Sequence, residues 1–107
     1  MNPRIIFFTI LLIAIFLEVI GDILFKKWAL QSKTTMLIIG AILYFVGSMF
    51  WAVSLKYETL SKAGPTFMIL NLILIVLSGI FIFKEDLSLT NKIGVILGVI
   101  SIILIQQ

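Results

Sequence analysis

A chain of 107 residues that is 62% hydrophobic and 12% charged, with a mean hydropathy of +1.27, carries more apolar surface than a water-soluble fold of its size can hide, ordinary soluble domains being about 45–50% apolar and about 25% charged. With no Cys and no His it has no disulfides, no thiolate or imidazole metal ligands and no Ser-His or Cys-His nucleophile, so no metal, cofactor or enzymatic activity is expected. The net charge of +3 comes from cations lying between long apolar runs, a pattern of loops beside anionic headgroups and not of a nucleic-acid surface.

The first apolar stretch, residues 5–25 between Arg4 and Lys26, is close to the ~20 residues that cross ~30 Å of hydrocarbon. It has the basic start and apolar run of a signal peptide, but no small-x-small cleavage pattern follows and an acid interrupts at Glu18, so a membrane helix near residues 4–29 is predicted. Glu18 lies fourteen residues past Arg4, about 21 Å along a helix axis. At that depth an acid costs ~3 kcal/mol on insertion scales and normally faces a bundle interior or a water-filled cavity. No cationic residue of the other spans is available to pair with it there. Asp22 and Lys26 follow at successive turns of the same face, and together they read as an interfacial i,i+4 ion pair ahead of the alternative, Asp22 as a second functional acid.

A second helix is predicted near residues 34–56, with Gly40, Tyr44, Gly47, Ser48 and Trp51 recurring at spacings of three and four. Small residues in such a stripe let backbones approach. Tyr44 and Trp51 beside a buried carboxylate suit an organic cation, each ring adding ~0.5–2 kcal/mol of cation–π attraction. A third helix is predicted near residues 61–83, where Phe67 extends the aromatic lining and Asn71 places an amide near mid-span. That amide serves either as a hydrogen bond between helices or as a substrate contact. Only residues 93–107 follow Lys92, so the fourth helix is expected near residues 88–106, with an N-cap between Ser88 and Thr90 and with Lys92 reaching back to the interface. Gly94, Gly98 and Ser101 form a small-xxx-small face on it, a surface for association within the bundle or between two copies.

The expected architecture is all-α: one four-helix transmembrane domain over residues 1–107, with connections too short to hold anything else. Four such helices fill their own centre with side chains, so a transport cavity calls for two chains, with a dimer contact expected at Gly94, Gly98 and Ser101. Arg4, Lys56 and Lys62 fall on one side of the membrane and Lys26, Lys27, Lys33, Lys84 and Lys92 on the other. So small a bias is also what dual topology would show.

Four spans with Leu17-Glu18-Val19-Ile20-Gly21 in the first resemble the small multidrug resistance family of the drug/metabolite transporter superfamily, over nearly the whole chain. The family's acid and glycine of helix one match Glu18 and Gly21, its lysine at the end of that helix Lys26, its helix-two tyrosine Tyr44 and its helix-four glycine Gly94. By that resemblance two copies pack antiparallel, and the paired Glu18 carboxylates bind protons or substrate in a site that alternates between the two faces of a prokaryotic cytoplasmic membrane. The chain departs from the family's drug exporters in helix three. Gly64 and Phe67 stand where those carry a tyrosine and a tryptophan, and Ile69, Leu70 and Asn71 replace a glycine-rich stretch. Leu70-Asn71-Leu72 and Phe83-Lys84-Glu85 instead look like the small paired flippases that move aminoarabinose on a polyprenyl lipid, which generally lack an acid at the position of Glu18.

The leading expectation is therefore proton-coupled export of cationic or polyaromatic molecules by a homodimer, or a heterodimer with a paralogue. Desolvation disfavours a charged carboxylate, so Glu18 would hold a proton and exchange it for a cation at a site with Tyr44, Trp51, Phe67 and Asn71. The alternative is a flippase subunit for a polyprenyl-linked amino sugar headgroup. A regulatory subunit without transport has no use for a charge in hydrocarbon.

Overall fold

A computed structural model describes residues 2–107 as four helices, α1 (Pro3–Gln31), α2 (Thr34–Ser54), α3 (Leu60–Phe81) and α4 (Leu89–Gln106). Each is long and apolar enough to cross a membrane, and every end lies within two residues of the predicted span. Large apolar side chains such as Ile42, Phe45, Met68 and Leu104 are exposed along them, as expected where the surrounding solvent is hydrocarbon. The chain is an integral membrane protein.

The ends follow local chemistry. Asn2 accepts a hydrogen bond from the Arg4 amide at 2.8 Å, and Pro3 takes the first position of α1, where its missing N–H is no loss. Ser32 closes α1 in the left-handed region at φ 59°, its amide donating to the Trp28 carbonyl, and α2 starts two residues later. Ser88 caps α4 by accepting from the Asn91 amide at 3.1 Å, which places the fourth start inside the predicted Ser88–Thr90 window.

The chain folds as two compact units, one running up to Thr59 and the other Leu60–Gln107. In the first, α1 and α2 form an antiparallel hairpin packed through glycines. A Cβ on Gly21 would lie 3.1 Å from the Gly40 carbonyl oxygen, and one on Gly47 would lie 3.2 Å from the Ala14 carbonyl oxygen. Ala14 pairs with Gly47 and Gly21 with Gly40, so the close approach repeats after seven residues on each helix, two turns apart. Phe7, Leu11, Ala14, Ile15 and Val19 are the buried apolar residues of this unit. In the second unit α3 and α4 are antiparallel. Gly98 lies against Ile69 and Leu72, and near the far end the Gln106 amide donates to the Thr66 hydroxyl at 2.7 Å.

Candidate functional site

Residue 18 is next to the midpoint of α1, and residue 44 is the midpoint of α2 (Thr34–Ser54). The Glu18 side chain is directed at α2: its Cγ would be 2.8 Å from a Cβ on Gly47. Only a glycine leaves room there, and the result is an acidic residue 8% exposed in a crevice of one helix hairpin. Glu18 makes no hydrogen bond among the described residues.

One turn along α1, Asp22 also faces α2. The Tyr44 hydroxyl donates to Asp22 Oδ1, while Asp22 Oδ2 is buried without a hydrogen-bond partner. Asp22 therefore bonds across to the midpoint residue of α2, from a position five residues past the midpoint of α1. The contact is possible because Gly21 has no side chain, since a Cβ there would sit 2.7 Å from the Tyr44 ring. The ring is held on another side by Phe25, whose centroid is 5.3 Å away at an interplanar angle of 24°, an offset stack. Phe25 in turn occupies the space over Gly40, 2.8 Å from where a Cβ would be. Two glycines and the Phe25 ring thus fix the tyrosine that holds the aspartate.

Two of the expected site residues meet within the first unit. Glu18 and Tyr44 share the α1–α2 crevice. Trp51 is on the same helix as Tyr44 but seven residues further on, about 10 Å along the axis. Phe67 and Asn71 belong to the second unit. Asn71 is at mid-span of α3, half-buried, with its Oδ1 buried and without a hydrogen-bond partner. Gly98 packs on α3 of its own chain, whereas Gly94 has open space above it and borders a groove of about 380 Å³ with Leu72, Val76, Thr90 and Val95. Asp22 and Phe25 are the site residues that sequence reasoning did not include. The spacing of Asp22 one turn beyond Glu18 was the available signal, but nothing in one helix's sequence shows which hydroxyl will meet it.

Residues 2–107 match the EamA-like transporter family. The chain belongs to that family. This EamA-like transporter is also similar to the probable 4-amino-4-deoxy-L-arabinose-phosphoundecaprenol flippase subunit ArnE of Hamiltonella defensa subsp. Acyrthosiphon pisum (strain 5AT), at 36% identity over 107 aligned positions that cover 94% of this chain and 96% of the relative. No solved structure matches it. The expected transporter class is met at this level.

Proposed function

We propose that this EamA-like transporter is a flippase subunit that carries a polyprenyl-linked headgroup bearing an amine across the prokaryotic cytoplasmic membrane. The observation that carries the reading is the 36% identity to a flippase subunit along nearly the full length of both chains. It favours the flippase over drug export, which led the reading of the sequence alone. The polar crevice agrees with it: a cationic headgroup crossing hydrocarbon needs an anionic group at mid-depth, and Glu18 and Asp22 supply one between two helices. The polyprenyl tail stays in lipid, so the chain has only the headgroup to shelter, and transport leaves the substrate covalently unchanged.

A subunit has a partner. We propose a second chain of the same kind, a paralogue or a second copy, meeting α4 near Gly94, where space is open. Ser101 is half-exposed on the same helix, while Gly98 acts within the chain.

The deep Glu18 supports a second reading, proton-coupled export of small cations, since an acid in hydrocarbon is suited to exchanging a proton for a cation. Reconstitution in proteoliposomes separates the two. Translocation of aminoarabinose-phosphoundecaprenol, by this chain with its partner and without a cation-driven proton flux, supports the flippase. Proton flux driven by a cationic dye, with no lipid translocation, would sink it in favour of export.

A further inference from the structure

We propose that Glu18 and Asp22 form one two-carboxylate pocket that selects a primary ammonium group, with Asp22 as the residue that rejects fully alkylated cations. This deepens the reading above and rests on it, since it names the headgroup chemistry that the crevice takes.

Both carboxylates lie on α1 and face α2 within the first unit. Glu18 is 8% exposed and makes no hydrogen bond among the described residues, and Asp22 Oδ2 is buried with none. Both side chains are aimed at α2, at Gly47 and Tyr44 respectively, one helical turn apart. A buried acceptor left unpaired is costly, and a hydrogen bond to a charged group is about twice as strong as a neutral one. An ammonium group has three N–H donors in a compact head. It can give one to Asp22 Oδ2 and others to Glu18 while matching their charge. A quaternary ammonium has no N–H and leaves those oxygens unpaired. Its usual compensation is the face of an aromatic ring, and Phe25 already covers a face of Tyr44. Tyr44 spends its donor on Asp22 Oδ1, which fixes the carboxylate and leaves the other oxygen for the ligand. Tyr44 is a positioning residue and Asp22 a binding one.

The test uses the full chain in lipid nanodiscs, with hexylammonium and hexyltrimethylammonium as probes of equal charge and tail, and reads the carboxylate NMR signals of ¹³C-labelled Glu and Asp. The wild-type protein should bind hexylammonium at least about tenfold more tightly, as sites built to hydrogen-bond a ligand reject analogues without the donor. Asp22→Asn keeps the shape and an acceptor for Tyr44, and should cut the preference to about threefold, the part that Glu18 retains, with circular dichroism unchanged. Tyr44→Phe should reduce the preference, and Glu18→Gln should weaken both probes. Equal binding of the two probes by the wild type, binding of neither, or a preference undiminished by Asp22→Asn would overturn the proposal. Amine preference without lipid translocation would retain the pocket and remove the flippase reading; lipid translocation without amine preference would do the reverse.

Discussion

The Cγ methylene of Glu18 occupies the space that a side chain on Gly47 would need, 2.8 Å from the Cβ position, with the Ala14 carbonyl oxygen 3.2 Å from the same point. Neither neighbour is the free end of a flexible chain, so Gly47→Ala must push α2 off α1 or turn Glu18 out of the crevice. Overpacking of this kind costs about 1–3 kcal/mol. The expected result is a less stable α1–α2 hairpin and a matching loss of transport, measured by unfolding in mixed micelles and by proteoliposome flux. Unchanged flux in Gly47→Ala would mean that Glu18 does not need its place against α2.

Four of the other glycines form two pairs with opposite expected outcomes. Gly21→Ala and Gly40→Ala meet Tyr44 at 2.7 Å and Phe25 at 2.8 Å, and both should destabilise the hairpin by about 1–3 kcal/mol. Gly64→Ala and Gly94→Ala meet nothing within 4 Å; they should leave the monomer fold intact or stabilise it by up to about 1 kcal/mol through helix propensity. The second group is informative about partners. A Gly94→Leu chain that unfolds normally but no longer crosslinks to a second chain places the interface at α4, and normal crosslinking rules that face out.

Removing the Tyr44 hydroxyl tests the buried aspartate without touching the stack. Tyr44→Phe keeps the ring against Phe25 but leaves both Asp22 oxygens unsatisfied, a loss of about 1–3 kcal/mol for a buried acceptor. Pairing it with Asp22→Asn in a double-mutant cycle should give clear coupling between the two positions. Additive effects would mean that the hydroxyl and the carboxylate do not depend on each other.

Within the second unit the Gln106–Thr66 hydrogen bond joins α4 to α3 at a position where Thr66 is fully buried. Polar bonds between membrane helices are worth about 0.6–2 kcal/mol. Gln106→Leu should lower resistance of the α3–α4 pair to denaturing detergent by about that amount, while Gln107→Leu, one residue on and exposed, should not. Equal effects would assign the change to hydrophobicity and not to the bond.

The four helices were legible because charge spacing and hydrocarbon thickness leave few choices: Arg4 and Lys26, Lys33 and Lys56, Lys62 and Lys84 mark the spans, and Ser88 supplies a cap chemistry that one reads directly. Glu18 was legible for the same reason, since depth follows from counting. Asp22 was not, because its environment depends on the register between two helices, which the positions of Gly21, Gly40 and Gly47 set only when both chains of contacts are in place. A lysine one turn further on offered a local partner, and the tyrosine at 44 was 22 residues away in sequence. The small residues of α4 were ambiguous from the start. A stripe of glycines shows that something packs closely but not what, and the structure gives Gly98 to α3 and leaves Gly94 open.

The pairing of Asp22 with Tyr44 bears on how the chain enters the bilayer. During synthesis α1 emerges first with two acids, Glu18 and Asp22, each worth ~3 kcal/mol against insertion. The hydroxyl that partners Asp22 arrives only with the midpoint of α2, twelve residues after the Ser32 turn. The favoured insertion substrate is therefore the helical hairpin and not α1 alone, and chains cut after Ser32 and joined to a long polar linker that clears the ribosome should insert less completely than chains cut after Ser54 and joined to the same linker.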